Sequence, residues 1–182
     1  MTESELHRLK YPVGEFNKPD IIDEQIIEKW IDSIESFPHS IETLTKDLTV
    51  EQLNWRFRPE GWTIKQLVHH CGDSHMNSMI RFKLALTEDS PEIRPYFQDR
   101  WAELSDSLDD DLTDSLTLLN GLHSRWIKLL KNLTEDEFNR EFIHPEHGAR
   151  FSLKENLGLY AWHCSHHLAH VKQALHYKGK FN

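Results

Sequence analysis

Thirteen histidines stand in this chain, and four of them crowd into one run near its end, Leu157-Gly-Leu-Tyr-Ala-Trp-His-Cys-Ser-His-His-Leu-Ala-His170. A helical residue advances about 100°, which places His163, His166, His167 and His170 inside an arc of about 100°. Beside that arc runs an apolar stripe of Leu153, Leu157, Tyr160, Leu168, Val171 and Leu175. Two i, i+4 pairs result, His163/His167 and His166/His170. Either pair can set two imidazole nitrogens on one metal ion, because the side chains stack one turn apart. A tightly held zinc-like ion wants three or four protein ligands. The remainder must come from elsewhere, and the second cluster, His69-His70-Cys-Gly-Asp-Ser-His75, is the place to look. Spacing alone chooses neither between the two pairs nor among His69, His70 and His75.

The rest of the composition bounds what such a site could serve. The 182 residues suffice for one domain, 1–182, and six Trp with 28% charged residues describe a packed interior under a polar surface. No apolar run approaches the roughly 18 residues of a membrane span, and Met1-Thr-Glu-Ser-Glu-Leu-His-Arg lacks an apolar signal segment, so a cytoplasmic location is expected. A net charge of -9 and a pI near 5.8 repel phosphate backbones and anionic lipids, which argues against nucleic-acid and membrane partners. Two cysteines, Cys71 and Cys164, make no disulfide framework. Each follows a ligand candidate and points about 100° away from it on a helix, toward the apolar stripe. They are expected to be small buried residues, close together if both stripes face one core.

Helices must carry these clusters. The first twenty residues hold Pro and Gly without a period and read as an extended arm. From Ile21 to Leu48 the apolar positions Ile22, Ile26, Trp30, Ile34, Phe37, Ile41, Leu44 and Leu48 predict a long first helix, which Pro38 should kink or divide. After a turn at Arg58-Pro-Glu-Gly61, Thr63 and Gln66 form a capping box for a second helix running to about Thr87. Its stripe of Ile64, Leu67, Cys71, Met79, Phe82 and Leu86 takes in His75, while His70 sits on the border with Ser74, Asn77 and Arg81. Pro91 to Pro95 stops that helix. An acidic, irregular or short helical crossover over residues 99–111 then lets the third helix, about Ser115 to Lys131, run parallel to its predecessor. His144-Pro-Glu-His-Gly148 reads as a loop, and Ser152 with Glu155 caps the fourth helix.

Part of the chain repeats. Asp47-Leu-Thr-Val-Glu-Gln-Leu-Asn-Trp-Arg-Phe57 parallels Asn132-Leu-Thr-Glu-Asp-Glu-Phe-Asn-Arg-Glu-Phe142, and Trp62-Thr-Ile-Lys-Gln66 parallels Phe151-Ser-Leu-Lys-Glu155. Two related helix pairs about a pseudo-twofold axis are implied. His70 and His163 each lie two to three turns from a capped start, so one shared site near one end of the bundle is geometrically reasonable.

Several separated motifs, in order, resemble a known group. They are Tyr11-Pro-Val-Gly-Glu-Phe, Gly61-Trp-Thr, His69-His70-x-x-Asp-Ser-His75-Met-Asn-Ser, Ile80-Arg-Phe-Lys83, Arg94-Pro-Tyr96 and Trp162-His-x-Ser-His-His-x-Ala-His170. Together they look like the YfiT-like branch of the DinB superfamily, over nearly the whole chain, arm included. The resemblance implies an all-α four-helix bundle with a long crossover between helices 2 and 3 and a divalent metal held by His70, His163 and His167. His69, His75, His166 and His170 would then support those ligands or serve structure. It further implies a cytoplasmic homodimer acting as a metal-dependent hydrolase on a small-molecule substrate, with zinc or nickel as the ion. Other DinB-like proteins resemble thiol S-transferases that use bacillithiol, mycothiol or glutathione. Cys71 and Cys164 depart from the family pattern, which more often has other small or apolar residues there.

Both activities suit one ligand set. Three neutral imidazoles leave positions open, where a water or a low-molecular-weight thiol could be acidified into the nucleophile. Asn77 and Arg81 could orient or neutralise an anionic substrate, and Asp73, three residues after His70, could back a ligand; no carboxylate stands out as general base. A different reading makes the ion a structural brace, with a fourth ligand from Cys71, Cys164 or His166. A third is a helical bundle without metal.

Overall fold

Capping decides where the long helices begin. The structure, a computed structural model, describes residues 1–146 and 148–182. Asp23 caps α2 (Glu24–Thr45), Thr63 and Gln66 form the box that starts α4 (Ile64–Thr87), and Ser152 and Glu155 form the box that starts α8 (Leu153–Tyr177). With α6 (Thr113–Leu130) these are the four helices of a bundle. In it α2 packs on α6 and α8, and α4 packs on the same two. The interior is filled by Phe37, Ile41, Ile64, Leu67, Phe82, Leu119, Trp126 and Leu157, all fully buried.

Contacts along α4 and α6 pair His69 with Ser115, His75 with His123, and Phe82 with Trp126, so the two helices run parallel, as the long crossover requires. Against α8 the order reverses, with His70 beside His163, Ser74 beside Tyr160 and Ser78 beside Asn156. The helix on either side of the histidine site is therefore antiparallel to its neighbour. The crossover itself contains one short helical turn, α5 (Gln98–Trp101).

Three expectations need correction. The N-terminal arm is not extended throughout: α1 (Glu3–Lys10) forms because Thr2 and Glu5 cap each other, and Pro12 and Gly14 come only after it ends. Of the kink or division expected at Pro38, division does not occur: α2 runs through it unbroken. The carbonyl it leaves without an amide donor, that of Ile34, accepts a hydrogen bond from His123 Nδ1 at 2.7 Å instead. The fold also has a small antiparallel sheet, β1 (Glu141–His144) with β2 (Ala149–Ser152), where only a loop was expected. Strands of four residues are too short to show an alternating pattern. The expected loop joins them, and His147 within it lies outside the described residues.

The repeat holds at the level of single hydrogen bonds. Two short helices, α3 (Val50–Leu53) and α7 (Glu135–Phe138), carry matching boxes, Thr49 with Gln52 and Thr134 with Glu137. Ile64 N–H donates to the Trp55 carbonyl at 3.1 Å, and Leu153 N–H donates to the Arg140 carbonyl at 2.9 Å. The bridge between Arg56 and Thr63 corresponds to the pairing of Glu141 with Ser152. Each unit thus hangs its long helix from the same hook.

Candidate metal centre

The two capped helices deliver the histidines to one place. His70 Nε2 lies 3.2 Å from His163 Nε2, and His167 Nε2 lies 3.1 Å from the same atom. Nitrogens about 2.0–2.1 Å from a tetrahedral ion stand roughly 3.3 Å apart, so the spacing fits one divalent ion. The chemistry of the donors points the same way. One lone pair on His163 cannot accept two hydrogen bonds, whereas a single cation takes all three lone pairs. His70, His163 and His167 form a group whose ligand atoms lie within 4.8 Å of one another, and among the described residues no thiol, carboxylate or fourth imidazole joins it. Burial keeps these rings neutral, as ligands must be: the His70 pKa falls to about 3, and those of His163 and His167 fall well below the usual imidazole range.

His69, next to His70, is drawn away. Its Nδ1 accepts from the Ser115 hydroxyl at 2.7 Å and its Nε2 donates to the Asp109 carbonyl at 3.1 Å, tying α4 to the crossover. His75 is fully buried, and its Nε2 faces His163 Nδ1 at 3.0 Å. His166 stacks on Trp162, and His170 stacks on Phe57 and donates through Nε2 to the Lys10 carbonyl. His166, His167 and His170 also bring ligand atoms within 4.8 Å. All three come from one helix, and the Lys10 contact already engages one of them.

Both cysteines are buried, and removal from water pushes their thiol pKa values up, so neither is a thiolate. Cys71 approaches ring nitrogens of His75 and His163, not the three-histidine group. Asn77 donates its side-chain amide to the Asp73 carbonyl. Asp73 is half-buried, with its pKa raised to about 6 by burial and by Asp106.

His163 borders two clefts. One, about 490 Å³, is lined by Tyr11, Arg58, Trp62, His70, His166 and His167. The other, about 470 Å³, is lined by Ser74, Arg81, Tyr96, Arg100, Glu146 and Tyr160. Gln98 and Asp99 of α5 belong to both. A larger cleft of about 760 Å³, between the start of α2 and the segment from the end of α6 through α7, is lined by no histidine or cysteine among the described residues, so size does not mark the chemistry here. The N-terminal arm walls the first cleft, held by Trp162 Nε1 donating to the Gly14 carbonyl and by Gln173 donating to that of Leu9.

A model of the DinB superfamily matches residues 33–171. The chain belongs to the DinB superfamily. YfiT of Bacillus subtilis, described as a candidate metal-dependent hydrolase, is 46% identical over 165 residues, covering 91% of this chain and 93% of the relative. A protein of Bacillus mycoides described in the same terms is 49% identical over 164 residues, covering 90% of this chain and 93% of its own. The solved structure of the Bacillus subtilis protein, described as having an unusual four-helix bundle topology, superposes with a TM-score of 0.91 at 44% identity, covering 94% of this chain and 98% of that one. The bundle expected from the sequence is therefore the DinB bundle.

Within that bundle the pseudo-twofold is broken at the site. Ser74 lies eleven residues after its cap Thr63, as His163 lies eleven after Ser152, and the two mates face each other with Ser74 Oγ 3.5 Å from His163 Nε2. The internal repeat thus carries one centre instead of two. Residues that sequence reasoning missed are Asp99 and Gln98, for which no local signal exists, and His123. The last had a signal: it falls four residues after Leu119 and three before Trp126, a polar residue on an apolar stripe.

Proposed function

We propose that this chain is a metal-dependent hydrolase of small molecules, with one divalent ion held by His70, His163 and His167. Convergence of three Nε2 atoms beside open clefts carries the reading. An ion so held supplies Lewis acidity and lowers the pKa of a water or thiol taken into its open positions. The chain's own residues do the rest. Trp62, its ring centroid 4.6 Å from that of His70, walls one side of the ligand set and limits entry of bulk water. Arg81 lines the second cleft with Tyr96 and Ser74, where its guanidinium and their hydroxyls can orient a polar or anionic substrate group against the centre.

The structural-brace reading needs a fourth ligand. Cys71, Cys164 and His166 were its candidates, and none of them falls in the three-histidine group. Zinc is the ion that three neutral nitrogens and open positions suit best, with nickel the alternative. A thiol S-transferase remains the second activity, because the same acidity would ionise a low-molecular-weight thiol; a homodimer in the cytoplasm is part of the same reading. No helix among the described residues is long and apolar enough to cross a membrane.

Metal analysis of purified protein, followed by ester and amide panels and by bacillithiol, glutathione or cysteine with an electrophilic acceptor, tests this. About one ion per chain with ester or amide turnover is expected, and Arg81→Ala should raise KM more than it lowers kcat. Turnover only with a thiol present would move the assignment to transferase. A chain that carries no ion and gains no stability from one would end both.

A further inference from the structure

Behind the centre, hydrogen bonds continue inward through two more imidazoles and end on the backbone. His163 Nδ1 faces His75 Nε2 at 3.0 Å, His75 Nδ1 faces His123 Nε2 at 2.7 Å, and His123 Nδ1 faces the Ile34 carbonyl oxygen at 2.7 Å. The two inner rings are in the core: His75 is fully buried and His123 is 2% exposed, with Phe37 packed against both. The terminal acceptor exists because Pro38, four residues after Ile34, has no amide to offer it.

That terminus gives the chain a direction. A carbonyl oxygen only accepts, so His123 Nδ1 must carry its ring's proton and His123 Nε2 must be the lone pair. His75 must then donate from Nδ1 and accept at Nε2, and His163 must donate from Nδ1. Its Nε2 is left bare, facing His70 and His167. Reversing the chain would put the His123 lone pair against the carbonyl oxygen at 2.7 Å, and would place a proton on the His163 nitrogen that has to bind the ion.

Resting on the metal reading above, we infer that His75 and His123 are positioning residues that set the tautomer of His163, and that the helical carbonyl freed by Pro38 is what sets theirs. The centre is in this way wired to α2 and α6, helices that contribute no ligand. A metal-bound imidazole is oriented, and made more basic, by what its other nitrogen donates to. Here that partner is itself oriented by a second ring and by a backbone gap two helices away.

Nitrogen-15 NMR of the histidine rings in chelator-treated wild-type protein reads the relay without any ion or substrate. The expected spectrum has Nδ1 protonated and Nε2 bare for His163, His75 and His123 alike; a protonated Nε2 on His163 would overturn the inference. In His123→Phe, which fills the space without a donor or acceptor, His163 should become a mixture of tautomers. Its metal affinity, measured by chelator competition, should fall about 10–100-fold. His123→Gln retains an N–H for Ile34 and an oxygen for His75, and should recover most of that loss. Wild-type affinity and wild-type tautomer in His123→Phe would overturn the inference, as would equal weakening in Phe and Gln variants. Should His123→Phe not fold, the wild-type spectrum decides alone. Failure of the wild-type chain to bind any divalent ion would sink the metal reading itself, which the metal-free spectrum does not test.

Discussion

Acidifying the metal-free protein should strip several kcal/mol from its stability above the pH at which ordinary carboxylates titrate. The core histidines set the amount, since Asp73, raised to about 6 by burial, takes up its proton in the folded chain and works the other way. Burial holds the His123 pKa down to about 4, against 6.5 for an ordinary imidazole. With the folded pKa depressed, the unfolded chain takes up the proton first as pH falls. Stability is therefore complete above about pH 6.5 and drains away as pH drops toward about 4. At about pH 5.5 the unfolded side chain is charged and the folded one is neutral, a difference of about 1.4 kcal/mol. His70 and His170, held to about 3 chiefly by burial, behave alike at that pH. The three together withdraw about 4 kcal/mol, from a total stability on the order of 5–15 kcal/mol. Urea unfolding of chelator-treated protein at about pH 7.5, 6.5 and 5.5 measures the fall, and His123→Leu should flatten it by about 1.4 kcal/mol. A stability that stays level across this range, or that falls as steeply in His123→Leu, would refute the account of the core. Added zinc should stabilise the protein at neutral pH and steepen its pH dependence, since the ion binds only neutral imidazoles in the folded chain.

Three further outcomes are expected. His163→Ala should lose most bound metal and all activity while His166→Ala keeps its ion, because only the former contributes to the three-nitrogen group; equal retention by inductively coupled plasma analysis would defeat the ligand assignment. Gly158→Ala places a Cβ 2.7 Å from the Trp30 ring in the α2–α8 contact, and should destabilise by about 1–3 kcal/mol in urea unfolding. Cys71 and Cys164, buried and protonated, should react with iodoacetamide only as fast as the protein opens, so rapid alkylation of the native chain would contradict their placement.

How much of this was written in the chain itself follows from what local rules can reach. Thr63 with Gln66 and Ser152 with Glu155 announce two helix starts, because a capping box needs only residues three apart. The repeat announced that the two starts are equivalent, and the helical period put His163 and His167 on one face. Period, however, gives an angle about an axis and not a distance to another helix. It left His69, His70 and His75 as equals. Tertiary structure separated them through partners far along the chain: Ser115 and Asp109 claim His69, His75 lies between His123 and the Nδ1 of His163, and of the three His70 is the one that faces the Nε2 of His163. The arm's helix is legible in Thr2 and Glu5, a capping box that acts before Pro12 and Gly14 can interrupt it, whereas β1 and β2 owe their form to pairing with each other. Pro38 shows the same division most plainly. The sequence determined that Ile34 would lack an amide donor; only the packing of α6 against α2 decided that a histidine would supply the proton, since a hydrogen bond between residues 34 and 123 exists only once the chain has folded.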